Sequence, residues 1–221
     1  MMSRPTRSLP HVAQHGVSLI VVLLILVIVS ILGASGAQIA MMAERGSRND
    51  RDMQVAWQAA ESALMDAEFD IHGVVKTTAK PTLTENNRRY IFEDMLSDEN
   101  FVQGCGSSAT NKGLCLWQEN SKPAWLSVDF TSNDANAKTV QFGDITNRAY
   151  SSSPSGTSLG VQPAKAPRYI IEALPDAVER AIGVSDPNSS YQRPQFVFRV
   201  TAMGFGPRPD IRAVSQIIYR D

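Results

Sequence analysis

The side chains able to do acid–base or metal chemistry are few and far apart in this sequence. Histidine occurs only at His11, His15 and His72, and none belongs to an HExxH motif, in which two histidines on one helix face hold zinc. A Ser-His-Asp triad would have to be built on His72. Because no convergent catalytic set is evident, we expect a protein that is not an enzyme and that needs no cofactor.

Two other patterns concern phosphate and calcium. The segment from Gly106 to Lys112 is similar to a phosphate-binding loop, but it lacks the glycine that precedes the lysine in such loops. Asp129, Asp134 and Asp144 carry the oxygen ligands that Ca²⁺ prefers, yet their spacing is not that of an EF-hand. We therefore interpret both as ordinary loops and predict no metal site.

The element that organises the chain is an uncharged run from Gly16 to Ala43. Its first part, Val17 to Leu32, is almost entirely leucine, isoleucine and valine, and more than about 18 apolar residues can cross a bilayer as a helix. The hydrophobic region of a signal peptide has only about 7–15 residues. The run therefore predicts a retained membrane helix, and Arg4 and Arg7 favour a cytoplasmic N-terminus.

A helical pattern continues beyond the apolar run. Between Asp50 and Ile71 the sequence has no glycine or proline and is rich in good helix formers. Its apolar residues recur at three- and four-residue steps: Met53, Ala56, Ala60, Leu64, Ala67 and Ile71. We predict one helix from about Val17 to Ile71, apolar all round in its first half and amphipathic in its second, ended by Gly73.

Together these features resemble the type IV pilins, which combine a short basic leader, here ending in Gly16, with an apolar helix and an amphipathic continuation. The pattern AERxxxNxRDxxxAxQAAExALxDAE, from Ala43 to Glu68, is similar to the PilX-type minor pilins. The segments Arg168–Glu172 and Phe198–Gly206 are similar to the same family. The resemblance covers roughly half of the chain and leaves out the region from about 77 to 167.

The resemblance implies a processing step and a position in the filament. Prepilin peptidase would cut between Gly16 and Val17, and the new amine of Val17 would be methylated. Major pilins carry a glutamate five residues into the mature chain, where it is thought to pair with the amine of the adjoining subunit. That position is Val21 here. A tip subunit has no subunit above it, so Val21 favours a tip role, although valine would also simply ease insertion of the helix.

The sequence has two cysteines, Cys105 and Cys115. If the N-terminus is cytoplasmic, everything after the apolar helix is exported, and an oxidising periplasm favours a disulfide between two cysteines ten residues apart. Free thiols and half of a zinc site are the alternatives, although no histidine lies near either cysteine in the sequence.

The last third of the chain is its clearest β region, since 195–203 and 211–220 alternate and 168–174 is a run ended by Pro175. We predict strands at 168–174, 195–203 and 211–220, with a hairpin loop at 204–209. Shorter strands are predicted at 125–130, with Leu126, Val128 and Phe130 on one face, and at 139–142. A short helix within 86–98 is predicted to carry Tyr90, Ile91 and Met95 inward, and polar loops are predicted at 77–84, 151–160 and 175–194.

These elements predict an α+β fold of the type IV pilin kind, in which a long N-terminal helix packs on a C-terminal antiparallel sheet. The predicted parts are a leader (1–16), a membrane or filament-core helix (17–43), an amphipathic continuation (44–71) and a periplasmic globular domain (72–221).

Two classes of function remain. The first is a structural protein, a minor pilin that helps to initiate pilus assembly at or near the tip, with a minor pseudopilin of type II secretion as the near alternative. The resemblance implies as partners other minor pilins, the major pilin, a tip adhesin, prepilin peptidase and the inner-membrane assembly machinery. The second class is a membrane-tethered periplasmic enzyme or sensor. A net charge of −1 without a basic tract argues against direct nucleic-acid binding.

Overall fold

The computed structural model describes residues 17–73, 88–93, 99–150, 160–176 and 196–220 of the 221-residue chain. Helix α1 runs over Val17–His72, as the sequence predicts, and Gly73 follows it with a φ of +82°, which favours glycine at a helix end. The chain divides into two compact units, Met1–Arg48 and Asn49–Asp221. The amphipathic half of α1 therefore belongs to the globular unit.

In the first unit, every side chain from Ser18 to Arg48 is exposed. Serine does not interrupt the helix, because the hydroxyls of Ser30 and Ser35 donate to the carbonyl oxygens of Leu26 and Ile31 one turn earlier. Within the described residues, α1 is the one helix long and apolar enough to cross a membrane.

The second unit is built on a six-stranded sheet. Its strands are β1 (Val102–Gln103), β2 (Leu114–Leu116), β3 (Val140–Gln141), β4 (Arg168–Pro175), β5 (Phe196–Phe205) and β6 (Arg212–Tyr219), and its short helices are α2 (Arg89–Glu93) and α3 (Ala124–Ser127). The order across the sheet is β1-β2-β4-β5-β6, with β3 also paired to β4.

The predicted antiparallel strands form one side of this sheet. Strand β5 pairs antiparallel with both β4 and β6, from Arg168↔Met203 on one side to Phe205↔Arg212 on the other. On the other side of the sheet the prediction of antiparallel pairing is wrong, because β1 pairs in parallel with β2 and β2 pairs in parallel with β4. The sheet is therefore mixed, and the overall class is α+β as predicted.

Helix α1 packs on the sheet through a row of small residues. Its buried face includes Ala56, Ala59, Ala60, Ala63 and Ala67, which are at most 2% exposed. These alanines let the helix backbone approach β5, where a side chain on Gly204 would lie 2.1 Å from the Ala56 carbonyl oxygen. The core between them is completed by aromatic and aliphatic side chains, among them Phe92, Phe101, Phe198, Tyr169 and Ile171.

The strand predicted at 125–130 is wrong, because the structure has helix α3 there. Pro123 directly precedes α3, where its missing N–H costs little. The N–H of Ala124 donates to the buried carboxylate of Glu172 on β4 at 3.3 Å, so an acidic group sits at the start of this turn. Leu126, which the strand prediction puts on one face with Phe130, is exposed, whereas Phe130 is buried.

Smaller corrections concern the ends of elements. Gly204 and Phe205 belong to β5 rather than to the hairpin loop, which begins at Gly206. The predicted short helix is α2, in which Ile91 is buried as expected but Tyr90 is exposed. The leader with Gly16 and the predicted loop at 77–84 lie outside the described residues. So do residues 151–159 of the loop predicted at 151–160 and residues 177–194 of the loop predicted at 175–194, whereas Pro175 belongs to β4.

Candidate functional site

The candidate assembly surfaces lie on α1, beginning with its apolar half. Val21 is half exposed and has neighbours of the same apolar kind along the helix, from Leu19 to Leu32. Gly33 and Gly36 have open space where a side chain would be, so nothing within the described chain explains why glycine is needed there. This half of α1 presents an apolar surface on all sides to whatever surrounds it.

The amphipathic half of α1 also keeps a solvent-facing ridge. Met53, Trp57, Glu61, Met65 and Phe69 are all exposed and are spaced by four residues, which places them in one i, i+4 row. We call these five residues the exposed ridge. Such rows are the ridges that pack into the grooves of another helix. The ridge is mostly apolar, with a single acid at its middle.

Beneath the ridge, a buried ion pair fixes α1 to the rest of the globular unit. Asp70 and Arg88 are both fully buried and form a bidentate pair, with Arg88 Nε 3.1 Å from Asp70 Oδ1. Burial alone lowers the pKa of Arg88, but the adjacent Asp70 and Tyr169 together outweigh it and raise that pKa. The hydroxyl of Tyr169 donates to Asp70 Oδ2 at 3.0 Å, and burial raises the pKa of Tyr169 well above its ordinary value.

Asp66, one helical turn earlier, holds a second segment of the chain. Its carboxylate accepts a hydrogen bond from the N–H of Gly143 at 2.8 Å and another from the Thr146 hydroxyl. Arg148 Nη1 lies 3.6 Å from Asp66 Oδ1, and its guanidinium stacks 4.4 Å from the centre of the Phe69 ring. Burial raises the pKa of Asp66, and the hydrogen bonds only partly offset this.

The loop between Cys105 and Cys115, here called the cysteine loop, is bonded to Arg88 and to Asp144. Cys105 and Cys115 form a disulfide, as predicted. Within the loop, the carbonyl oxygen of Lys112 accepts from Arg88 Nη1 at 2.6 Å, and Lys112 Nζ lies 2.9 Å from Asp144 Oδ2. These contacts, together with those of Asp66 and Asp70, connect the cysteine loop, α1 and the segment from Gly143 to Arg148.

Comparison with known families decides what kind of protein this is. The PilX N-terminal family model matches residues 15–64, and the model for the type IV pilus assembly protein PilX C-terminal region matches residues 43–221. The chain belongs to the PilX family. No curated protein and no solved structure matches the chain. The PilX family is a family of structural pilins involved in type IV pilus assembly.

This PilX-family chain shows no assembled catalytic site among its described residues. His72 packs edge-on against the Tyr219 ring, with centroids 5.1 Å apart. No group of three metal-binding side chains comes together in the described part of the chain. The pattern G-x-S-x-G, which marks a nucleophile elbow only between a strand and a helix, occurs at 156–160. Its serine lies outside the described residues and is assigned no role.

Sequence reasoning missed the roles of Asp66 and Asp70, which are both buried. A signal was available, because Asp66 and Asp70 continue the three- and four-residue spacing of Ala63 and Ala67. An acid on the buried stripe of a helix requires a partner, since burying an unpaired charge is costly. The partner Arg88 could not be named from this pattern.

Proposed function

We propose that this chain is a minor pilin that helps to initiate type IV pilus assembly and lies at or near the pilus tip. Membership of the PilX family supports a role in pilus assembly. The tip position rests on Val21, which stands where major pilins have the glutamate that pairs with a neighbouring amine. A subunit with no neighbour above it has no amine to pair with.

The apolar helix supplies the physical mechanism of this proposal. The helix is first held in the inner membrane as a single span, with the globular unit in the periplasm. It then leaves the membrane and packs among the helices of other pilins, which replace lipid around its exposed apolar side chains. The exposed ridge offers a second packing surface, on the globular unit, with Trp57 as its largest side chain.

Processing is part of the proposal. Prepilin peptidase cuts between Gly16 and Val17, and the amine of Val17 is methylated. The measurement is the intact mass of the protein from host membranes, with and without the peptidase. A chain that begins at methylated Val17 only when the peptidase is present supports the proposal. A chain that keeps its leader, or is cut elsewhere, contradicts it and favours the tethered enzyme or sensor.

The tip position is tested by labelling. We expect gold-labelled antibody against the chain to mark the ends of sheared pili, and a deletion strain to make few or no pili. In a strain that makes Val21→Glu, we expect label along the shaft, because the new carboxylate can pair with the amine of a subunit above it. Shaft labelling in the wild type would contradict a tip position.

A minor pseudopilin of type II secretion is the second candidate, because it has the same helix and leader. The family match favours the pilus. If a deletion strain keeps normal pili but loses protein secretion, the pseudopilin role is correct and the pilus role is not.

A further inference from the structure

In the part of the chain that the structure describes, β6 is a long edge strand of the sheet. Among the residues that the structure describes, β6 pairs with β5 alone, from Phe198↔Tyr219 to Phe205↔Arg212. Strand β6 has eight residues, whereas β1 at the opposite edge has two. An unpaired edge of this length is a template for another strand.

The register identifies which backbone groups face outward. The N–H of Gly206 donates to the carbonyl oxygen of Ile211 at 2.8 Å, in line with the register of the two strands. Hydrogen-bonded residues alternate along an antiparallel pair, so every second residue after Ile211 also bonds to β5. The residues between them direct their N–H and C=O groups away from β5: Arg212, Val214, Gln216 and Ile218.

This edge carries little of the protection that edge strands usually have. Proteins block exposed edges with proline, inward charges, bulges or short strands. Strand β6 has none of these along its length, and its one charged residue is Arg212 at its start, with Arg220 directly after its end. Ile218 is 69% exposed beside the outward backbone groups. Its side chain offers an apolar contact to an added strand.

A second copy of the chain fits this edge poorly. A two-fold antiparallel pairing that satisfies the outward groups must place even-numbered residues opposite one another. The register that puts Ile218 opposite Val214 of the copy also puts Arg212 opposite Arg220 of the copy. Like charges directly opposite each other are destabilising. A shift of one step in either direction relieves this repulsion but puts Ile218 opposite Arg212 or Gln216 of the copy. The register that puts Ile218 opposite Ile218 pairs only residues 216–220 of each copy.

We propose that β6 accepts an extended segment of another type IV pilus protein as an additional strand of the sheet. The segment places an apolar side chain opposite Ile218 and an acidic side chain close to Arg212, whose own side chain is exposed. Main-chain hydrogen bonds to the outward groups provide the affinity, and these two side chains provide the specificity. The identity of the donor as a pilus protein rests on the proposed function.

The test is a proline at an outward position of β6. In Gln216→Pro the lost N–H is one that β5 does not use, and proline is tolerated on the outer side of an edge strand. The matched control is Gln216→Ala. Both variants lose the hydrogen bond from Gln216 Nε2 to Thr201 Oγ1. They differ in the backbone N–H at position 216, which alanine keeps and proline lacks. Thermal unfolding of the full-length chain in detergent checks that both variants fold.

The probe is p-benzoylphenylalanine in place of Ile218, activated by light in host cells. We expect it to crosslink to another pilus protein, identified by mass spectrometry through an extended segment. We expect Gln216→Pro to lower the yield about tenfold, as the loss of one backbone hydrogen bond implies, and Gln216→Ala to leave it unchanged. Crosslinking to a second copy, no crosslink, or equal yields in the two variants would overturn the proposal.

A second variant tests the same edge without a change to the backbone. Ile218→Lys changes an exposed side chain and places on the edge the residue that natural proteins use to block pairing. We expect fewer pili at normal protein level. If deletion of the gene abolishes pili while Ile218→Lys and Gln216→Pro leave them normal, the edge proposal fails and the pilin function stands. If deletion has no effect on pili, the pilin function itself fails.

Discussion

Gly204→Ala is the substitution that tests most directly how α1 is seated on the sheet. Gly204 lies in β5, where α1 comes closest to the sheet. An added Cβ would lie 2.1 Å from the Ala56 carbonyl oxygen and 2.3 Å from the Ala60 nitrogen. Both of these atoms belong to the helix backbone, so a change of side-chain rotamer cannot relieve the clash.

The cost follows from the distance. A carbon and a carbonyl oxygen come no closer than about 3.3 Å, so the helix would have to move by more than about 1 Å. Overpacking a well-packed core costs about 1–3 kcal/mol, and a backbone obstacle belongs at the upper end. About 3 kcal/mol corresponds to a fall of roughly 6–12 °C in Tm for a chain of this size.

The assay is unfolding of the full-length chain in detergent, followed by tryptophan fluorescence. Gly46→Ala is the matched control, because an added Cβ at Gly46 meets nothing within 4 Å. We expect the control to leave stability unchanged or to raise it by up to about 1 kcal/mol. If Gly204→Ala destabilises the protein by less than about 0.5 kcal/mol, α1 does not approach β5 this closely and the packing described above is wrong.

Four further predictions follow from the same structure. Replacing both Cys105 and Cys115 by serine should cost about 2–3 kcal/mol in urea unfolding, and reducing agent should then have no further effect. Arg88→Met should cost about 3–5 kcal/mol, because it leaves the Asp70 carboxylate buried, and Asp70→Asn in the same chain should recover part of it. The raised pKa of Asp66 means that the folded chain holds its proton more tightly. The wild type should therefore lose stability relative to Asp66→Asn as the pH rises above about 4, whereas a constant difference in urea midpoint would refute this. Trp57→Ala should reduce the number of pili at unchanged Tm, while Gln58→Ala, at the neighbouring exposed residue, should not.

The elements that the sequence predicts well are those with long, regular patterns. Helix α1 repeats its apolar residues over many turns, and Gly73 marks its end. Strands β5 and β6 have ten and eight residues, long enough for their alternation to be recognised, and β4 is an eight-residue strand that ends at Pro175. The disulfide could be predicted because the chain is expected to be exported to an oxidising compartment, and not from any geometric signal in the sequence.

The elements that the sequence does not predict depend on contacts between distant residues. Strands β1 and β2 have two and three residues, too few to show a period, and their parallel pairing is set by the sheet they join. Helix α3 starts where Glu172, 48 residues further on, accepts a hydrogen bond from Ala124. Gly204 is predicted as a loop residue because a glycine in a sequence does not reveal which backbone approaches it.

Because the side chains of the first unit are exposed, the effect of a substitution there on pilus assembly can be distinguished from an effect on folding. Every side chain from Ser18 to Arg48 is exposed, so a substitution there replaces a side chain that is not packed within the first unit. A change in piliation caused by Val21→Glu, at unchanged Tm and protein level, must then arise from lipid or from neighbouring subunits. Substitutions at Asp70 or Arg88 cannot be interpreted in this way, since both side chains are fully buried and any effect on pili would include the cost of breaking the fold.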